Sequence, residues 1–140
     1  MIYARACLSA GFTLLEALVV LVVMGVLAAV AYPTYERHII TARRTAAGVC
    51  LVESRLQREM YFARYLHYDQ APLASCSEAR FPHYRIVEEP GQDAWTYRLV
   101  AEPLGRQAAA DAGCGALWVD QLGRQGIDGT SDDAGKCWAR

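Results

Sequence analysis

The residue best placed to do chemistry in this sequence is a carboxylate inside an apolar segment. Glu16 lies near the start of the run Phe12–Tyr32, which has no other charged residue. A carboxylate within a membrane-spanning helix costs a few kcal/mol unless it is neutralised or paired. Cleavage just before Phe12 would create a free α-amino group four residues from Glu16. We therefore expect a charge pair, within this helix or with a neighbouring one, that exists only after proteolysis.

The apolar run also predicts a membrane span. At about 1.5 Å per residue, a helix over Phe12–Tyr32 is long enough to cross a bilayer core of about 30 Å. A secretory signal would have a shorter apolar run followed by a small-residue cleavage site, so we expect this run to stay in the mature protein. Pro33 removes a backbone donor and predicts a kink near the membrane boundary.

The cysteines predict disulfide bonds formed outside the cytoplasm. The sequence has five cysteines, and cleavage before Phe12 would remove Cys7 and leave an even number. The others show neither a CxxC spacing nor an interleaved histidine, so disulfides are favoured over zinc binding or a redox motif. They are Cys50, Cys76, Cys114 and Cys137.

No other pattern in the sequence points to catalysis. The three histidines are isolated, and there is no serine-hydrolase, zinc-protease, phosphate-loop or dinucleotide-binding motif. We therefore expect neither enzymatic activity nor a cofactor. The formal net charge of −1 gives no long-range field that would attract a polyanion.

Residues from Thr34 to about Tyr65 are expected to form an amphipathic helix. Apolar side chains at three- and four-residue spacing predict the face that packs on the globular core. That face consists of Val49, Val52, Leu56, Met60 and Ala63. The arginines of this helix mostly fall on other faces and are expected in solvent: Arg37, Arg43, Arg44, Arg55, Arg58 and Arg64. The tyrosines are expected in the core rather than on an adhesive surface: Tyr61, Tyr65, Tyr68, Tyr84 and Tyr97.

The second half of the chain has strand patterns. Leu66–Pro82 lacks periodicity, which predicts a loop. His83–Glu89 and Ala94–Glu102 alternate in polarity around a Pro-Gly turn and predict a hairpin. Ala116–Asp120 is a third strand candidate, joined to the second by a small, flexible-looking link at Ala108–Ala112. Three or four antiparallel strands would make a sufficient sheet.

The carboxy-terminal aspartates raise the question of a metal site. Asp128, Asp132 and Asp133 offer carboxylate oxygens of the kind that calcium accepts. Their spacing does not reproduce an EF-hand loop. We interpret them as solvated turn residues and keep calcium binding as the alternative.

The amino-terminal residues resemble the prepilin signature of the type IV pilin and type II secretion pseudopilin superfamily. The resemblance covers GFTLLE at residues 11–16 and the apolar run that follows. It implies cleavage by a prepilin peptidase after Gly11, N-methylation of Phe12, and guidance of filament docking by Glu16. The implied organisation is a leader over residues 1–11, a membrane and assembly helix over 12–33, and a periplasmic domain over 34–140. Within that domain the helix extends to about residue 65, the sheet occupies 83–120, and the carboxy-terminal loop occupies 114–137.

The carboxy-terminal segment looks like the disulfide-bounded loop of PilE-type minor pilins. The similar residues are CGALWVDQLGRQG, which begins at Cys114, and the pair Cys137-Trp138. The resemblance implies a Cys114–Cys137 disulfide, which would remove unfolded-chain entropy worth roughly 3 kcal/mol. Cys50 and Cys76 then remain for a second bond. The two other connectivities stay open.

The resemblance implies an α+β pilin fold, in which a long amino-terminal helix packs on a small antiparallel sheet with a disulfide-bounded carboxy-terminal loop. The implied function is a minor type IV pilin that primes or joins pilus assembly for twitching motility, adhesion or DNA uptake. Its implied partners are major and minor pilins, the prepilin peptidase, an inner-membrane assembly platform and inner-membrane lipid. The implied location is the bacterial inner membrane, then the extracellular pilus.

Two other functions are kept as alternatives. The first is a type II secretion pseudopilin. The second is a pilin that binds nucleic acid through surface arginines, namely Arg43, Arg44, Arg55 and Arg58.

Overall fold

A computed structural model describes residues 12–73, 76, 81–91 and 93–138. The leader expected at residues 1–11, including Gly11, lies outside the described residues, as do parts of the expected loop at 66–82. The chain divides into two compact units, Met1–Arg37 and His38–Arg140.

The first helix, α1, comprises the 52 residues Leu14–Tyr65. Its first part is the apolar run, in which Glu16 is the one charged residue, and its second part carries the arginines. Pro33 lies inside the helix and does not end it. Nearby, the Thr34 hydroxyl donates a hydrogen bond to the Val30 carbonyl at 3.3 Å. The kink expected at Pro33 stays a prediction.

The second unit contains a four-stranded antiparallel sheet in the order β1-β2-β3-β4. The strands are β1 Tyr84–Pro90, β2 Tyr97–Pro103, β3 Leu117–Asp120 and β4 Gln125–Ile127. The first three confirm the expected strands within a few residues, whereas β4 was not predicted. The link between β2 and β3 is a short helix, α2, at Gly105–Ala110 rather than the flexible segment expected there. A last turn of helix, α3, covers Ala134–Cys137.

The core lies between one face of α1 and one face of the sheet. The helix contributes Ala47 and Leu51, and the sheet contributes Leu99, Leu117 and Val119, all almost fully buried. Small residues dominate the inward helix face, with Ala47, Gly48, Cys50 and Ser54 all buried.

The prediction of which apolar face of α1 packs on this core was wrong. Four of its residues are exposed by 47–64%, and Ala63 is exposed as well. The four are Val49, Val52, Leu56 and Met60, and we call them the outer stripe. Two sets of residues on α1 satisfy the helical period, and the buried set is the one with the smaller side chains.

The expectation of solvated arginines was wrong for two of them. Arg58 is only 1% exposed; it donates to the Ala71 carbonyl and pairs with Glu88. Its guanidinium carbon lies 5.0 Å from the centre of the Tyr97 ring. Arg44 is mostly buried and forms an ion pair of 2.6 Å with Asp111.

A buried polar network joins α1, β1 and α2. Tyr84 donates to Asp111 at 3.3 Å, and the Gln107 amide donates to the Tyr84 hydroxyl and to the Ile40 carbonyl at 3.2 Å. Burial raises the pKa of Tyr84 to about 12. Arg44 also donates to the Cys137 carbonyl at 3.0 Å, so the network reaches the carboxy-terminal loop.

Both expected disulfides are present, Cys50–Cys76 with a Cα separation of 6.1 Å and Cys114–Cys137 with 5.6 Å. Just after the second bond, the Trp138 indole N–H donates to the Gly126 carbonyl at 3.0 Å. The same indole ring packs over Gly48, where an added Cβ atom would lie 3.6 Å from the ring. Trp138 is thereby held against both β4 and α1.

Three of the five tyrosines confirm the expectation of core packing. Tyr68, Tyr84 and Tyr97 are buried, whereas Tyr61 is half-buried and Tyr65 is exposed. The rings of Tyr61 and Tyr65 contact each other at a tilt of 38°, with ring centres 4.4 Å apart.

Candidate processing and assembly site

The start of α1 is fixed by a local cap. The Glu16 backbone N–H donates to the Thr13 hydroxyl oxygen at 3.2 Å, and the Ala17 N–H donates to the Thr13 carbonyl at 3.1 Å. Thr13 is therefore the N-cap, and the T-x-x-E spacing is that of a capping box. We did not assign Thr13 a role from the sequence, although this spacing was the signal for it.

Phe12 and Glu16 flank this cap and are both exposed. Phe12 is 72% exposed and precedes the first helical residue. Glu16 lies in the first turn of α1, where the partial positive charge of the helix amino terminus favours a carboxylate. The structure thus places both residues at the amino-terminal end of α1, within one helical turn.

The apolar part of α1 has no protein cover within its own unit. Its most apolar window has a mean hydropathy of 2.7, and none of that window is buried. Among the described residues, α1 is the one helix long and apolar enough to cross a membrane. Such a surface needs lipid or other apolar helices around it.

A second exposed apolar surface lies on the other unit. The outer stripe borders a groove of about 250 Å³, which Gly48, Gln125 and Trp138 also line. The groove is therefore built jointly by α1, β4 and the segment held by the Cys114–Cys137 disulfide. Its volume is that of one or two apolar side chains.

The carboxy-terminal aspartates do not converge on one point. Asp128 pairs with Arg98 at 2.8 Å, and the Asp133 side chain accepts the Gly135 N–H at 2.9 Å as the cap of α3. Within residues 12–73, 76, 81–91 and 93–138, no group of three acidic, histidine or cysteine side chains could hold a metal ion.

Two of the four arginines of the nucleic-acid alternative are engaged inside the fold. Arg44 and Arg58 are tied to acidic partners inside the fold. Arg98 stacks on Trp118, with its guanidinium carbon 4.3 Å from the ring centre, and also pairs with Glu89 at 3.5 Å. Arg44 and Arg58, and also Arg98, which was not among the four, are thus paired with neighbouring carboxylates.

Asp120 organises the turn between β3 and β4 beside that stack. Burial acts to raise its pKa, but hydrogen bonds from the Arg124 side chain and from the backbone N–H groups of Arg124 and Leu122 outweigh burial, so the pKa lies below its ordinary value. This β3–β4 turn and the β1–β2 turn together line a cleft of about 530 Å³.

Comparison with known proteins gives the family. The family model described as "Type IV minor pilin ComP, DNA uptake sequence receptor" matches residues 33–118. The chain belongs to this type IV minor pilin family. A second model, the prokaryotic N-terminal methylation motif, matches residues 8–32. The family is one of structural pilins, as the resemblance at residues 11–16 implied.

Two individual proteins are similar to this minor pilin. A type IV pilin structure from Shewanella oneidensis is 30% identical, with a TM-score of 0.54, and the match covers 72% of this chain and 99% of that one. The type II secretion system core protein G of Klebsiella michiganensis is 30% identical over 132 residues, covering 89% of this chain and 90% of that protein. The pilin fold is thus confirmed.

Proposed function

We propose that this minor pilin is made as a precursor, cut after Gly11, methylated at Phe12 and incorporated into a pilus through Glu16. The observation that carries the proposal is the match of the methylation motif to residues 8–32, which include all three positions. The start of α1 at Leu14 supports it, because the proposed new amino terminus lies just before the helix.

The exposed apolar surfaces support a change of surroundings during assembly. Before assembly, inner-membrane lipid covers the apolar part of α1, which crosses the membrane once, and the second unit lies in the periplasm. In the pilus, helices of other major and minor pilins replace the lipid. The outer stripe offers a second contact for these neighbours. The prepilin peptidase and the inner-membrane assembly platform act before and during this transfer.

Glu16 provides the most direct test of the assembly step. Glu16→Gln keeps the size of the side chain and removes its charge, so membrane insertion stays normal or improves. We expect its amount in sheared pili to fall several-fold, because the proposed pairing with a neighbour's terminal amine is lost. Glu36→Gln is the matched control, since Glu36 is also on α1 but outside the apolar run. Equal recovery of both variants in pili would contradict the proposal.

DNA uptake is the role that the family description favours, and DNA binding is the second candidate function. Arg124 is a suitable probe because its side chain is 69% exposed. If residues 38–140 bind duplex DNA, affinity falls steeply between 50 and 200 mM salt, as counterion release requires, and Arg124→Gln weakens binding. The absence of any complex at low salt would rule out DNA binding by this unit.

A pseudopilin role is favoured by the similarity to the secretion-system core protein G. A deletion strain separates the two roles. We expect twitching motility or DNA uptake to be lost while protein secretion stays normal. The opposite pattern would assign the chain to secretion.

A further inference from the structure

We infer that Thr13 is a positioning residue for precursor cleavage, because its cap keeps Phe12, which follows the bond to be cleaved, outside α1. This inference rests on the proposed cleavage after Gly11. Its basis is the pair of hydrogen bonds that Thr13 accepts, from the Glu16 N–H at 3.2 Å and from the Ala17 N–H at 3.1 Å. Phe12, on the carboxyl side of the cleaved bond, is non-helical and exposed.

The cap blocks growth of the helix toward the amino terminus. In an α-helix each N–H donates to the carbonyl four residues earlier. If α1 began earlier, the Glu16 N–H would donate to the Phe12 carbonyl and the Leu15 N–H to the Gly11 carbonyl. The Thr13 hydroxyl instead takes the Glu16 N–H. The donor needed for the first of these upstream bonds is therefore occupied.

Helix growth would hinder cleavage directly. The peptidase must reach the Gly11 carbonyl carbon, and a helical bond from Leu15 would tie up that carbonyl and bury it in the helix backbone. The leader favours such growth, since it includes Ala4, Ala6, Leu8 and Ala10, which are strong helix formers. Gly11 opposes such growth, because glycine is a poor helix former. Thr13 supplies a second stop signal.

The inference predicts which variants are cut slowly. Replacing a threonine cap by alanine costs about 1 kcal/mol, which changes a two-state population by about fivefold. Thr13→Ala then lowers the fraction of precursor with an accessible bond. Because only that fraction binds productively, the KM for cleavage rises by up to about fivefold while kcat stays unchanged. Thr13→Ser keeps the hydroxyl and restores cleavage.

The experiment measures initial cleavage rates of the full-length precursor in detergent with purified prepilin peptidase. Thr13→Val tests whether side-chain size alone is sufficient, because valine matches threonine in size but lacks the acceptor oxygen. We expect a raised KM for this variant. Thr34→Ala is the control, since it removes a hydroxyl that bonds within the helix interior. It should be cut like the wild type.

The outcomes separate this inference from the proposed function. If Thr13→Ala is cut with the wild-type KM, or if Thr13→Ser is as slow as Thr13→Ala, the positioning role is wrong even though cleavage occurs. If the wild-type precursor is not cut after Gly11 at all, the proposed processing itself is wrong.

Discussion

The two faces of α1 in the second unit are built on opposite principles. The inward face, toward the sheet, has small and polar residues, including Ala47, Ser54 and the buried Arg58. The outer stripe has large aliphatic side chains and lies in solvent. The face that folds the subunit is therefore less apolar than the face that remains open. In a pilin, this difference is explained if the outer stripe is kept for neighbouring subunits.

The inward face gains stability from burial and specific bonds rather than from large apolar side chains. The Cys50–Cys76 disulfide fixes α1 to the following loop. Arg58 joins α1 to β1 through Glu88. The outer stripe makes no comparable contact among the residues that the structure describes, so its side chains contribute little to the stability of a single subunit.

The largest expected effect compares one leucine from each face. Leu51 is fully buried and Leu56 is 60% exposed. Leu51→Ala should lower the free energy of unfolding of residues 38–140 by about 3 kcal/mol, as for a buried leucine. Leu56→Ala should change it by less than about 0.5 kcal/mol. Urea unfolding followed by circular dichroism measures both values, and similar losses would remove the distinction between the faces.

A smaller effect is expected from the buried ion pair. Glu88→Ala leaves the Arg58 charge without its partner. Because the Glu88 side chain is 33% exposed, water reaches one side of the pair and the expected loss is about 2 kcal/mol, below the range for fully enclosed pairs. Glu102→Ala breaks the exposed Arg85–Glu102 pair between β1 and β2 and should cost less than about 1 kcal/mol. Equal losses in the free energy of unfolding for Glu88→Ala and Glu102→Ala would show that water solvates the Arg58 charge.

The smallest effect appears only in alkali. Burial raises the pKa of Tyr84 to about 12, and burial together with the Glu59 carboxylate raises the pKa of Tyr97 further above its usual value. Between pH 10 and 12 the unfolded chain loses these protons while the folded chain keeps them, so stability falls as pH rises. Unfolding measured at pH 9 and pH 11 should show this loss, reduced in Tyr97→Phe. A loss unchanged in that variant would mean that Tyr97 titrates normally.

The hairpin could be predicted from the residues, because alternating polarity is a local signal. The fold class was implied by the resemblance of residues 11–16 and the following apolar run to pilins. The sequence did not allow the inward face of α1 to be predicted, since Val49, Val52 and Leu56 fit the helical period as well as Ala47 and Leu51 do. Choosing between them requires the position of the sheet, which is a long-range property.

Other features escaped prediction for similar reasons. Burial of Arg58 depends on Glu88, which lies 30 residues away in sequence. Strand β4 has only three residues, Gln125–Ile127, too few for a clear pattern. At the candidate site, Glu16 was conspicuous because it is a charge among apolar residues, whereas Thr13 is an ordinary residue whose role depends on where the helix begins.

The most direct test of the account is the mass of the amino-terminal peptide from this subunit in purified pili. The account predicts a peptide that begins at Phe12 and carries one methyl group on its α-amino nitrogen. A subunit found in normal pili with residues 1–11 still attached would contradict it.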